Sequence, residues 1–177
     1  MDGSRQLIES GRRARREGRP VDAHRFFEQG VALARQEMNQ RELVDALKGL
    51  GQIERDEGRG EAARPLYEEA VELCRRLDDV QLLAHTVRHL GDIHQDAGRL
   101  EEAEPCYREA ESLYRAHRNT QQLDFANALR PLAILQESRG KKKEAQALWR
   151  EARNLYAAVA IGEGVSEADK HLRSLGG

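Results

Sequence analysis

LGQIERDEGRGEAARPLYEEA (residues 50–70) and LGDIHQDAGRLEEAEPCYREA (residues 90–110) carry one pattern in one register, 40 positions apart. Working outward from them, the register finds two further copies. Gly18-Arg19, Gly58-Arg59, Gly98-Arg99 and Gly140-Lys141 are separated by 40, 40 and 42 residues. The same steps relate Ala23, Ala63, Ala103 and Ala145, and likewise Phe27, Tyr67, Tyr107 and Trp149. Gly30, Ala70, Ala110 and Ala152 form a further column, as do Leu33, Leu73, Leu113 and Leu155. Columns at such a period are the signature of stacked structural repeats.

Each copy reads as two helices around a turn. Tyr67 falls between small Ala63 and Ala70, and Leu73 and Cys74 extend that stripe by a turn, which places all five on one helix face. A small residue lets two helices approach and a large one fills the adjacent gap. Upstream, Ser10-Gly11, Leu50-Gly51, Leu90-Gly91 and Leu132-Ala133 set a large residue before a small one in three of the four copies. Glycine ends the first helix without the penalty of a Cβ in the left-handed conformation. Pro20, Glu61, Glu101 and Glu102 suit the opening turn of the second. The pattern predicts helices over 4–17, 20–38, 40–57, 60–77, 80–97, 100–117, 121–139 and 142–160. A ninth is expected over 167–175, with Ser166 and Asp169 as a capping pair and Ala168, Leu172 and Leu175 on its inner face. Pro131 lies inside the seventh helix and predicts a kink there.

The composition fits an elongated helical chain. It is 39% hydrophobic, 34% charged and 5% aromatic over 177 residues, enough for one domain or one short repeat array. With a formal charge of −2, no net pull toward nucleic acid or anionic lipid exists, so charge-based recognition must be local. Cys74 and Cys106 sit in helical pattern without a metal-ligand neighbour and read as reduced core thiols. The sequence following Met1 is charged rather than apolar, so the expected location is cytoplasmic and no membrane partner is expected.

With these columns on the page, the chain resembles the tetratricopeptide repeat family over roughly residues 4–160, best in the runs Leu50-Gly51 to Ala70 and Leu90-Gly91 to Ala110. The long period resembles the extended variety found in kinesin light chains and in bacterial sensor and scaffold proteins. The resemblance implies an all-α, right-handed superhelical α-solenoid of four helix-turn-helix repeats (approximately 4–38, 40–78, 80–118 and 121–160) plus a C-terminal capping helix (166–175), in one domain spanning 1–177. Where the family usually has an aromatic three residues after the Leu-Gly glycine, this chain has Ala14, Glu54, His94 and Gln136, which are expected to be more solvated.

A solenoid presents a concave surface lined by one helix of each pair. The resemblance implies that the first helices form it and bind peptide segments of partner proteins. The candidate groove residues are Arg5, Arg12 and Arg16 in the first repeat and Lys48, Gln52 and Arg55 in the second. The third contributes His85, Arg88, His89 and Asp92, and the fourth Asn127 and Arg130. Their basic bias toward the N-terminal end favours an acidic or carboxylate-bearing peptide. The family's carboxylate-gripping pattern is incomplete: Lys48 fits and Gln52 is a near match, but His89, Asn127 and Pro131 replace the other positions.

The expected function is therefore a protein-interaction scaffold or adaptor, not an enzyme. No phosphate loop, nucleophile elbow or paired-cysteine motif suggests catalysis, and no cofactor or metal is expected. Three alternatives remain. His85, His89 and Asp92 on one helix face could hold zinc. The arginines between Arg12 and Arg19 could meet nucleic acid, although no interleaved aromatics would stack on bases. End repeats could pair with a second copy, giving a homo-oligomeric structural module.

Overall fold

The computed structural model describes residues 3–117 and 120–176. Among these residues the chain forms nine helices and no strand. In order they are α1 (Gly3–Arg16), α2 (Pro20–Gln36), α3 (Gln40–Asp56), α4 (Gly60–Leu77), α5 (Val80–Asp96), α6 (Leu100–Ala116), α7 (Gln122–Ser138), α8 (Lys142–Ala158) and α9 (Gly162–Leu175). Consecutive helices pack on one another along the chain, and α1 also meets α3. The result is a stack of four helix pairs closed by α9.

The turns explain the periodic glycines. Gly18, Gly58, Gly98 and Gly140 all adopt left-handed φ between +70° and +76°. Each is followed by a residue whose N–H reaches back five positions: Arg19 to the Ala14 carbonyl, Arg59 to Glu54, Arg99 to His94 and Lys141 to Gln136, at 2.8–2.9 Å. This pairing satisfies carbonyls the helix end would otherwise leave open. A Gly58→Ala variant meets no steric obstacle, since nothing lies near the added Cβ. It should nevertheless lose about 1 kcal/mol through left-handed strain alone, measurable by urea unfolding. At the first two boundaries between repeats a side chain adds to a left-handed turn at Met38 or Asp78: Asn39 and Asp79 accept hydrogen bonds from the Glu42 and Leu82 amides and so cap α3 and α5.

The column residues meet as their sizes predict. Phe27, Tyr67, Tyr107 and Trp149 are buried, with Ala23, Ala63, Ala103 and Ala145 beneath them. A Cβ on Gly51 would stand 2.7 Å from the Tyr67 ring, and one on Gly91 2.7 Å from Tyr107, so glycine is what lets the two helices of each pair close. Across the second helices runs an exposed ladder of paired ions: Arg35 with Glu69, Arg75 with Glu109 and Arg115 with Glu151.

Three expectations change. The polar column after the Leu-Gly pair is not solvated. Ala14, Glu54 and Gln136 are buried and His94 is half-buried, because neighbouring second helices supply partners. Glu54 accepts from Arg59 and contacts His24 at 2.9 Å, Gln136 donates to Glu104 at 2.9 Å, and His94 accepts from Arg99 at 3.2 Å. The capping helix begins at Gly162, not 166, because Ala160 turns left-handed at φ +58° and α9 starts at once. Ser166 is then inside the helix and Asp169 pairs with Arg153 at 2.6 Å. Cys74 is a buried thiol, but Cys106 is only half-buried. As expected, Pro131 lies inside α7, which is continuous from Gln122 to Ser138. The expected end of the third repeat at 118 lies outside the described residues, as do Met1, Asp2 and Gly177.

Candidate functional site

The first helices of the four pairs, α1, α3, α5 and α7, line one groove of about 900 Å³. Heptad-like spacing along each helix turns one stripe inward, and the rings of Phe27, Tyr67 and Tyr107 come through from the second helices to form the floor. Tyr67 reaches the Lys48 carbonyl at 3.4 Å, while Tyr107 donates to Gln95 and Asp92 at 2.9 and 3.1 Å. Of the twelve candidate residues, the groove gathers Arg12, Arg16, Lys48, Gln52, Arg55, His85, Arg88, His89, Asp92, Asn127 and Arg130. Arg5 is not brought in. It pairs with Glu42 at 3.2 Å and lines a separate depression.

The groove is positive although the chain is not. Its lining holds seven cationic side chains, the six arginines Arg12, Arg15, Arg16, Arg55, Arg88 and Arg130 with Lys48, against three carboxylates, Asp45, Asp92 and Asp96. Most arginines are already engaged. Arg12 pairs with Glu9 at 2.6 Å and Asp45 at 3.2 Å, Arg15 with Asp56 at 2.8 Å, Arg55 with Asp96 at 2.6 Å, and Arg130 with Glu167 of α9 at 2.7 Å. Lys48 and Arg16 make no ion pair among the described residues. Burial pushes the Lys48 ammonium down from its ordinary value, with Asp45 pulling the other way.

Asp92 is the structural centre of the third repeat's face. It accepts from Arg88 at 3.0 Å, lies 3.3 Å from His89 Nδ1 and 3.5 Å from Arg55, and takes the Tyr107 hydroxyl. Burial pushes its carboxyl up, but the His89 hydrogen bond and the Arg88 and Arg55 charges outweigh that and hold it below the usual carboxylate range. His89 Nε2 accepts from Arg88 at 2.6 Å, which leaves the ring proton on Nδ1 for Asp92 and makes the imidazole neutral. Burial likewise pushes His85 down to about 2, helped by Lys48, His89 and Arg88, and its Nδ1 is buried without a partner. The two imidazoles pack at 4.6 Å between centroids, and His89 packs against Tyr67 at 5.8 Å. Among the described residues no group of three or more His, Cys, Asp or Glu side chains could hold a metal ion; His89 pairs with Asp92, and His85 only packs on His89. No helix of the described residues is long and apolar enough to cross a membrane.

Sequence reasoning passed over Phe27, Tyr67 and Tyr107 as groove residues, since their column reads as packing alone. The hydroxyl on two of the aromatic column's four members was the available signal: a buried tyrosine seeks a polar partner, and here the partners lie on the groove wall.

The sequence model described as tetratricopeptide repeat matches residues 42–116 and 82–158. Solved structures share the fold at low identity. BtubC (BKLC) from P. vanneervenii superposes with a TM-score of 0.79 at 20% identity, covering 89% of this chain and 64% of that one. A putative kinesin light chain with nearly identical TPR-like repeats from Podospora anserina gives 0.72 at 16%, covering 99% and 97%. A Rap protein complexed with Competence and Sporulation Factor gives 0.82 at 17%, covering 93% of this chain and 45% of that one. The chain thus spans about two thirds or less of two of these three relatives. No curated protein matches it in sequence.

Proposed function

The chain belongs to the tetratricopeptide repeat family, and we propose that it is a non-catalytic interaction module whose concave groove captures an acidic, extended segment of a partner protein. The observation that carries this reading is the groove's charge: seven cations against three carboxylates in a chain of formal charge −2. Because the arginines are largely neutralised by neighbouring carboxylates, the attraction left for a guest concentrates at Lys48 and Arg16. The Rap protein solved with Competence and Sporulation Factor lends support to a bound factor on this fold, although the fold alone does not transfer a ligand. Four first helices about 10 Å apart give a groove roughly 30 Å long, room for about nine extended residues.

The test is an array of such peptides graded in net charge, titrated against the parent and an Arg16→Glu/Lys48→Glu variant. Acidic members should bind the parent, weaken with salt, and lose at least about tenfold in the variant, equivalent to about 1.4 kcal/mol. Equal binding by both proteins, or a preference for basic peptides, would sink the reading.

A further inference from the structure

We propose that Lys48 is an acylation site: its amine takes an acyl group from an anionic donor of the acyl-phosphate class, and the neutral amide so formed switches off capture of acidic segments. The switching half rests on the function proposed above; the acylation half does not.

The chain has 24 arginines and only five lysines. Four of these, Lys141, Lys142, Lys143 and Lys170, are exposed on the outer surface, and the fifth stands half-buried in the groove. Lys48 is a groove cation outside any ion pair, and its environment eases loss of the proton that a nucleophilic amine must shed. Asp45, the carboxylate on its own helix, is turned to Arg12 at 3.2 Å. Facing the amine from the other packed elements are Arg12 of α1, Cys74 of α4, and His85, Arg88 and His89 of α5. None of them offers a carboxylate, and burial among like charges favours the free amine. The same cationic wall, in a groove that Arg16 also lines, attracts a phosphoryl dianion. His85, whose Nδ1 is buried without a partner, lies on the same groove wall.

In the step itself the Lys48 Nζ lone pair attacks the acyl carbon. A C–N bond forms, the C–O bond to phosphate breaks, and phosphate leaves with the electron pair and takes up the amine proton. Nothing is oxidised or reduced. The groove thereby loses the ammonium form of Lys48, whose one carboxylate neighbour, Asp45, is already shared with Arg12.

The intact chain is incubated with acetyl phosphate near neutral pH and the acetylation of each lysine is followed by mass spectrometry. A denatured sample, in which all five lysines react alike, normalises detection. Lys48 should be modified about fivefold faster than Lys142, Lys143 or Lys170. A rate at or below theirs overturns the site. A parallel reaction with neutral N-acetoxysuccinimide tests the donor class. The preference for Lys48 should shrink with it, and an equal preference for both reagents overturns the acyl-phosphate assignment. Lys48→Gln should then lose acidic peptides while Lys48→Arg keeps them; equal binding by the two overturns the switch. A parent that binds no acidic peptide removes the proposed function but leaves the fast Lys48 reaction standing, so the two failures are distinguishable.

Discussion

Replacing Trp149 by alanine should lower the unfolding free energy by about 4 kcal/mol and release the C-terminal end of the stack before the rest. Trp149 is fully buried and is the largest member of its column, lying in one core cluster with Ala133, Leu148, Tyr156 and Ala168. Its ring stacks on His171 of α9 at 4.3 Å and 16° between planes, and His171 in turn contacts Glu137 of α7 at 2.6 Å. One side chain thus joins α7, α8 and α9. The alanine leaves a cavity that the fixed Ala145 and Ala152 beside it cannot fill. Because each repeat contacts mainly its neighbours, the damage should stay local. Hydrogen exchange should show α8 and α9 amides losing protection while α1 to α4 keep theirs. Trp149→Phe should cost far less, since it keeps most of the ring and removes an indole N–H that is buried without a partner. A loss spread evenly over all nine helices, or one below about 1.5 kcal/mol, would show that Trp149 does not fasten the end.

How much of this could be read beforehand follows from where each interaction lies in the chain. The size columns were legible because packing between adjacent helices repeats with the solenoid step: Gly51 against Tyr67 and Gly91 against Tyr107 are the same contact made twice. The Gly-Arg turns were legible because left-handed backbone names its own residue. The groove was legible as a set of helix stripes, and eleven of twelve candidates do share it. What was hidden is which charges are free. Arg12 finds Asp45 and Arg130 finds Glu167 at separations set by the three-dimensional stack, so most of the conspicuous arginines turn out to be engaged and Lys48 and Arg16 are left. The polar column was misjudged for the same reason. Glu54 looks like a surface residue until Arg59 and His24, from the helices beside it, are seen to close over it. Arg5 shares a helix stripe with Arg12 and Arg16, yet Glu42 draws it out of the groove.

Asp92→Ala should move stability and binding in opposite directions. In the parent the carboxylate holds Arg88, Arg55, His89 and Tyr107 at once. Its folded pKa lies below the ordinary value, so its contribution is complete above about pH 4 and is lost as pH falls through the depressed value. Alanine abolishes that contribution and leaves two guanidiniums and an imidazole facing one another. The expected cost is about 3 kcal/mol by urea unfolding at neutral pH, at the low end for a broken buried pair because the groove admits water. The same change frees Arg88 for a guest and loosens Arg55, which keeps its pair with Asp96. Acidic peptides should therefore bind about tenfold tighter per folded molecule, with a steeper salt dependence. Asp92→Asn keeps an acceptor for Tyr107 and should show both effects at roughly half size on the free-energy scale. Weaker peptide binding by both variants would mean that Asp92 positions the arginines for the guest rather than competing with it. The groove would then act through its preset ion pairs, and the free charge at Lys48 would lose its special place in recognition.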